Sequence, residues 1–329
     1  MKVIVPLAGK GTRLLPLTRR VPKPLVRVAA RPVMDYVMDA LAGLDISELV
    51  VITGHLKEEV ERYVTRHYPI RARFVEQRTL DGTAGAVNLA RPFIDEPVLI
   101  VFVDTLFDAD LSVIRTSDAD GILWAKEVED YRRFGVILTD ERDGMTRIVE
   151  KPEAPVSKLA NIGLYYMRDW RALFAGITDV LRRPPGAGGE FYLTDAFQHM
   201  VDHGRRLQVV RVSGWYDCGK VATLLETNHH LLEHGRARLP GPGCTGCTVV
   251  PPVHVEAGVT IRDATIGPNV TIEAGSRIAD STLVNCILGR NVRVERAVVR
   301  DSLIGDDQVI EGMTVEGAVL DQGELAPAR

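Results

Sequence analysis

Cysteine is scarce. The 329 residues hold 4, at Cys218, Cys244, Cys247 and Cys286, too few for a disulfide framework in a chain of this length. Cys244 and Cys247 have the spacing of a metal or redox pair, but neither a second pair nor a nearby pair of histidines accompanies them. They read as incidental members of a loop. Charge of one sign is also in short supply: a net charge of −4 gives no electrostatic reason to expect nucleic acid or an anionic membrane as partner. Long apolar runs are missing too. No stretch reads as a signal peptide or a membrane span, which predicts a cytoplasmic protein. What is present, 46% hydrophobic and 26% charged residues, suffices for a substantial core, and the length predicts two domains.

Two common phosphate-binding fingerprints, G-x-x-x-x-G-K-[ST] and G-x-G-x-x-G, are absent from the glycine-containing stretch 7–26, LAGKGTRLLPLTRRVPKPLV. That stretch nevertheless has the parts of a phosphate site. It follows a short apolar run, with Val3, Ile4 and Val5 in succession, that reads as a buried strand of a parallel sheet. Gly9 and Gly11 let backbone approach a ligand, and Thr12 and Arg13 add a hydroxyl and a cationic fork. Lys23 lies between Pro22 and Pro24, which predicts an ammonium presented from stiff, extended backbone.

The next segments alternate in period. Residues 33–44 and 56–67 carry helical stripes, 49–53 and 71–75 read as strands, 83–90 as a helix and 98–103 as an apolar strand. Such βαβ order predicts an α/β fold with a mostly parallel sheet and a ligand crevice beyond the carboxyl ends of the strands. Asp104 closes the strand 98–103 at that end, and Asp217 follows the strand 207–212 ahead of a helix at 220–233. Two such carboxylates suit a Mg²⁺ ion that also binds phosphate. Gln77, followed by the glycine turn at Gly82, offers an amide that both donates to and accepts from a base edge.

Together, Ala8-Gly9-x-Gly11-Thr12-Arg13-Leu14-x-Pro16-Leu17-Thr18 and Pro22-Lys23-Pro24-Leu25 resemble the signature of the sugar-1-phosphate nucleotidyltransferases, the nucleotide-sugar pyrophosphorylases. The short AGxGTR form is similar to that of bacterial glucose-1-phosphate uridylyltransferases, whereas PKPL is more like the thymidylyl- and guanylyltransferases. The resemblance implies a Rossmann-like nucleotidyltransferase domain. It also implies that Arg13 and Lys23 are catalytic, that Ala8, Gly9, Gly11, Thr12, Gln77 and Gly82 bind the nucleotide, and that Asp104 and Asp217, the latter in W-x-D-x-G, bind the metal. Val103 stands where the family has glycine, and GTAGA at 82–86 departs from the GLAQA of thymidylyltransferases. Phe134-Gly135-Val136, Glu150-Lys151-Pro152 and Asn161-Ile162-Gly163-Leu164-Tyr165 follow in the family's order, and Gly188–Asp195 also resembles a family segment. They imply a sugar-phosphate site of Gly135, Glu150, Lys151, Asn161 and Glu190.

Beyond residue 234 the composition changes. Residues 235–252 are rich in glycine and proline and read as a linker. From there, apolar residues recur at five- or six-residue steps: Val255, Ile261, Ile266, Ile272, Ile278, Leu283, Leu288, Val294, Val299, Ile304 and Ile310. This predicts hexapeptide repeats of about four β-helical coils, and it resembles the left-handed β-helix tails of several nucleotidyltransferases. The expected division is a catalytic domain at 1–234, a linker at 235–252, a left-handed β-helix at 253–320 and a tail at 321–329.

The expected reaction joins an NTP, dTTP or UTP foremost, to a sugar 1-phosphate, glucose 1-phosphate foremost, with Mg²⁺ as cofactor. Alternatives are mannose-1-phosphate guanylyl transfer and N-acetylglucosamine-1-phosphate uridylyl transfer. A noncatalytic regulatory subunit would be a different class, against which the joint presence of Arg13, Lys23, Asp104 and Asp217 argues. Acyl transfer on the β-helix finds little support, since His254 is the only histidine beyond the linker. The tail predicts a homo-oligomer.

Overall fold

The apolar run at the start of the chain forms β1 (Lys2–Pro6), with Val3, Ile4 and Val5 wholly buried, as a strand covered on both faces requires. The computed structural model describes residues 1–241 and 243–328. Pro242, in the expected linker, and Arg329, in the expected tail, lie outside the described residues. The described chain divides into two units, one of Met1–Gly9 with Val37–Trp215 and one of Lys10–Tyr36 with Tyr216–Arg329.

The first unit is built on a 9-stranded sheet. After β1 its strands are β2 (Glu48–Thr53), β3 (Ala72–Glu76), β4 (Val98–Val101), β5 (Gly121–Glu127), β6 (Gly135–Thr139), β7 (Met145–Glu150), β8 (Leu159–Met167) and β9 (Leu207–Arg211). β1 lies between β2 and β4 and runs parallel to both, and β2 runs parallel to β3. Past β4 the direction reverses: β8 is antiparallel to β4, β5 and β6, and β7 is antiparallel to β6. β9 adds to β5 in parallel. The sheet is thus parallel where βαβ order was legible and mixed around β8.

The helices keep the expected order with shorter ends: α1 (Val33–Leu41), α2 (Lys57–His67) and α3 (Thr83–Asn88). α4 (Trp170–Arg182) starts where the Ala172 amide donates to Asp169 Oδ1 at 3.0 Å, an N-cap bond that satisfies one of the helix's unpaired amides. Leu173, Phe174 and Ile177 of α4, with Phe197 and Met200 of α5 (Leu193–Asp202), share one buried cluster with Ile4, Ile100 and Leu123 of the sheet. The strand expected over 98–103 stops at Val101. At Phe102 the amide donates to Gly163 O at 2.9 Å, opposite an irregularity in β8 between Asn161 and Tyr165. Gly163 has φ +78°, and a Cβ there would lie 3.1 Å from Phe102 Cβ. Asp104 consequently sits in a turn that leads into another strand, Thr105–Asp108, and has no helix to cap.

The second unit is a parallel β-helix with residues 10–36 and α6 (Val221–Leu231) packed on it. One face stacks Cys244–Thr245, Thr260–Arg262, Arg277–Ala279, Arg293–Glu295 and Val309–Glu311 in a parallel 5-stranded sheet. That is one coil more than the repeat count predicts, because the stack begins inside 235–252. Every one of the eleven apolar repeat positions, Val255 to Ile310, lies in the buried cluster of this unit.

The corners explain the sequence between these positions. Gly246, Asp263, Asp280, Arg296 and Gly312 occupy one column of corners, Asn269, Asn285, Asp301 and Gly317 a second, and Gly258, Gly275, Asn291, Asp307 and Gly323 a third, all at positive φ. Glycine, asparagine and aspartate tolerate that conformation best. Side chains also bond along the columns: Asn291 Nδ2 donates to Asp307 Oδ1 at 3.0 Å. Cys244 and Cys247 are half-buried free thiols against the core of the first coil. Leu283, wholly buried among these rungs, tests the stack: Leu283→Ala should lower unfolding free energy in urea by about 2–5 kcal/mol, and a change under 1 kcal/mol would show that the coil collapses around the gap.

Among the described residues, no helix is long and apolar enough to cross a membrane.

Candidate active site

Residues predicted from four separate segments meet in the first unit. Asn161 Nδ2 donates to Gly135 O at 2.8 Å, and Tyr165 OH donates to Asn161 Oδ1, so both ends of the amide are oriented. A Cβ on Gly135 would lie 2.4 Å from Asn161 Nδ2 and 2.7 Å from Glu150 Oε2. Only glycine permits this approach. Thr194 Oγ1 donates to Glu150 Oε2 at 3.0 Å. Lys151, held at φ +44°, lies 4.0 Å from Glu190 Oε2 and 4.9 Å from the centroid of the Tyr192 ring. A non-glycine residue in that region is strained, a condition that clusters at ligand sites.

Burial sets the electrostatics. It pushes the Glu150 carboxyl above the usual glutamate range, against the opposing pull of Thr194 and Lys151. Burial, with the negative charges of Glu150 and Asp104 beside it, keeps the Tyr165 phenol firmly protonated and therefore a donor. Thr194, Tyr165 and Tyr192 were not among the residues expected from sequence. Tyr192 and Thr194 lie within the 188–195 segment, and Tyr165 lies four residues beyond Asn161, so their positions were available although their roles were not.

The nucleotide-side expectations divide. Ala8 leaves β1 with its carbonyl facing the chain after β2, where the His55 amide donates to it at 3.4 Å. A Cβ on Gly54 would come within 2.8 Å of Ala8 Cβ, so Gly54 belongs to this turn as well, and its signal was a glycine directly after a strand at the same sheet end. Beside Gly9 there is open space where a side chain would stand, so its backbone is approachable without any special φ. Gln77 is buried, and its Nε2 donates inward to Asp81 Oδ1 at 3.0 Å and Gly82 O at 3.4 Å. The amide donor is thus committed to shaping the loop. Gly82 has φ +113°, and a Cβ there would be 2.4 Å from Phe191 O, so this turn is locked to the 188–195 segment.

In the second unit, Gly11 at φ +63° precedes a single 3-10 turn, Thr12–Leu14, that carries Thr12 and Arg13 exposed. Thr18 Oγ1 donates to Gly11 O at 2.8 Å and closes the loop. Lys23 begins a 3-10 turn, Lys23–Leu25, and is not on extended backbone; Pro22 alone is extended, at φ −55° and ψ 139°. Asp217 ends the strand Gly214–Asp217 and accepts from Gly219 N at 2.7 Å on Oδ1 and from Thr223 Oγ1 at 3.2 Å on Oδ2. A Cβ on Gly219 would lie 2.8 Å from Asp217 Oδ1 and 3.5 Å from Lys23 Nζ. The absent side chain gives these two groups a shared space.

No group of three histidine, cysteine, aspartate or glutamate residues that could hold a metal occurs among the described residues. Asp104 and Asp217 are single hard-oxygen donors, as suits an ion that takes one or two carboxylates and completes its shell from phosphates and water.

The sequence model of the family described as nucleotidyl transferase matches residues 2–234. The bifunctional protein GlmU of Methanococcus aeolicus is 31% identical over 263 residues, covering 80% of this chain and 62% of that protein, so this chain spans less than two thirds of its length. A glucose-1-phosphate thymidylyltransferase of Streptomyces antibioticus is 30% identical over 275 residues, covering 81% of this chain and 76% of that protein. A crystal structure of a UDP-glucose pyrophosphorylase complexed with UDP-glucose shares the fold with a TM-score of 0.62 at 24% identity, covering 71% of this chain and 98% of that one. With its family match running from strand β1 to residue 234, the chain belongs to the nucleotidyl transferase family.

Proposed function

We propose that this protein transfers the nucleotidyl group of dTTP or UTP to glucose 1-phosphate, releasing pyrophosphate. The observation that carries the reading is the meeting of Gly135, Glu150, Asn161 and Thr194 around one point of the first unit, with the Lys151 charge acting on Glu150. A carboxylate, an oriented amide and a backbone carbonyl suit sugar hydroxyls, and the Lys151 ammonium suits the sugar phosphate. An oxygen of that phosphate attacks the α-phosphorus, the bond from the α-phosphorus to the bridging oxygen breaks, and pyrophosphate leaves with the electron pair. The nucleophile is already ionised, so no general base is needed.

The side chains must align the reactants and offset charge. Lys151 positions the attacking phosphate, Arg13 and Lys23 receive the departing pyrophosphate, and Ala8, Gly9, Gly11 and Thr12 offer backbone and hydroxyl groups to the triphosphate. Gln77 and Gly82 shape the base pocket, and Glu190 adds to the sugar side. Nucleotidyltransferases of this family generally use a divalent metal. We assign Mg²⁺, held by Asp104 and Asp217, which when bound offsets phosphate charge.

We also take 1–234 as the catalytic region, 235–252 as its connection, whose second half already stacks as the first coil, 253–320 as the rest of the β-helix and 321–329 as the tail, in a cytoplasmic homo-oligomer. A monomeric mass by light scattering at micromolar concentration would overturn self-association.

Pyrophosphate release with Mg²⁺, across UTP, dTTP, GTP, CTP and ATP against glucose, mannose, galactose and N-acetylglucosamine 1-phosphates, tests the reading. A dominant signal with dTTP or UTP and glucose 1-phosphate is expected. Signal confined to GTP with mannose 1-phosphate, or to UTP with N-acetylglucosamine 1-phosphate, would replace the substrates, and silence from folded protein would replace the reaction.

Glu150→Gln is expected to raise KM for the sugar phosphate by about 10–100-fold, the worth of one hydrogen bond to a charged group. Because burial raises the Glu150 pKa, its carboxylate is lost at a higher pH than an ordinary glutamate as acid is added. The wild-type KM should therefore climb on the acid side above the usual glutamate range, and the variant should lack that limb. A KM within twofold of wild type removes Glu150 from the sugar site.

A further inference from the structure

The second unit holds a cavity of about 200 Å³ between residues 17–27, α6 and the β-helix. It has room for roughly six or seven water-sized groups at about 30 Å³ each. Arg13, Lys23 and Asp217 do not line it. Leu17, Leu25, Leu224, Ile287 and Leu303 give it an aliphatic wall, a surface that offers water few partners and suits a hydrocarbon body.

Its polar groups are unevenly matched. Glu273 has 1% of its surface exposed, yet its Oε2 accepts no hydrogen bond among the described residues. Arg290 Nε stands 3.7 Å from that oxygen, and Arg27 Nε lies 2.8 Å from the other, Oε1. The lining carries the carboxylates of Glu273, Asp306 and Asp321 and the guanidiniums of Arg20 and Arg27; with Arg290 beside Glu273 and Glu256 3.9 Å from Arg27, four carboxylates stand against three guanidiniums, which leaves one negative charge in excess. Arg27 also donates to Ala30 O at 2.9 Å, and Arg20 faces Asp321, so an anion would find no cation that lacks a carboxylate. Burial lifts the Glu273 carboxyl to about 7 and raises Asp321 as well; a positive charge placed here would offset that cost.

We propose that this cavity binds a compact aliphatic monoamine, its ammonium donating to Glu273 Oε2 and its body lying against Leu17, Leu224, Ile287 and Leu303. A buried acceptor that lacks a donor is costly, and a single ammonium supplies both the donor and the missing charge.

Isothermal titration of the full chain with cyclohexylmethylamine, cyclohexylmethanol and cyclohexanecarboxylate tests this directly. The amine should bind at least about tenfold more tightly than the alcohol, a difference that corresponds to one charge-assisted hydrogen bond, and the carboxylate should give no binding heat. Glu273→Gln should abolish the preference for amine over alcohol. Should that variant fail to fold by circular dichroism, Asp321→Asn, which removes the same unit of charge from the lining, should weaken the amine and leave the alcohol unchanged. No amine binding, equal binding of amine and alcohol, a preference for the carboxylate, or amine binding unaltered by the folded variant would each overturn the proposal. The readout is binding, so its outcome is independent of the reaction proposed above.

Discussion

Alanine in place of Lys23 should lower kcat by roughly 10²–10³, the cost of deleting one donor that acts on charge developing in the transition state. The backbone around it does not need the side chain. Its 3-10 turn is closed by the Leu25 amide donating to Pro22 O at 2.8 Å and the Val26 amide donating to Lys23 O at 3.2 Å. The melting temperature should therefore hold while turnover falls. KM for the sugar phosphate should change little, because Lys23 is assigned to the leaving pyrophosphate and Lys151 to the nucleophile. Near-normal kcat in steady-state pyrophosphate release would take Lys23 out of the mechanism.

Asp217→Asn should reduce activity by at least about 10² and shift the Mg²⁺ titration to higher concentration, and Asp104→Asn should behave alike. For Asp217 the substitution is close to isosteric. An asparagine Oδ1 can keep the bond from Gly219 N, and its Nδ2 can donate to Thr223 Oγ1, since a hydroxyl accepts as readily as it donates. The local turn survives and the negative charge does not. Unchanged activity at the wild-type optimum of metal would rule out the assignment, whereas loss of activity with an unfolded far-UV spectrum would be answered by Asp217→Glu, which keeps the charge and should restore part of the rate.

The β-helix was the most legible part of the fold. Its buried positions recur at steps of five or six residues, and all but one of the corners named above, Arg296 being the exception, fall on glycine, asparagine or aspartate, so each coil restates the pattern. The parallel strands β1, β2 and β4 were legible for the related reason that burial on both faces makes them continuously apolar. Strand direction around β8 was not, because pairing between Leu159–Met167 and three other strands depends on partners far away in sequence.

At the candidate site, types of residue were legible and commitments were not. Gln77 has the chemistry of a base reader, but its donor is spent on Asp81 and Gly82. Lys23 lies between prolines, which suggested extended backbone, yet the bond from Val26 N turns it into a 3-10 helix. Gly135, by contrast, followed from its motif, and its reason is steric: no side chain fits between Asn161 and Glu150.

Residues 27–32 form a tight hairpin whose central Ala29 and Ala30 both have positive φ, at 45° and 62°. Alanine pays for that geometry where asparagine and glycine would not. The turn is secured from outside itself: the Ala29 amide donates to the buried Asn228 Oδ1 at 3.0 Å, which also accepts from Thr271 Oγ1 of the β-helix at 2.7 Å. Deuterium should therefore reach the Ala29 amide only when this whole cooperative block opens. The hairpin lies four residues beyond Lys23, so the exchange rate of a single amide becomes a gauge of how firmly the coil stack steadies the segment that carries the lysine.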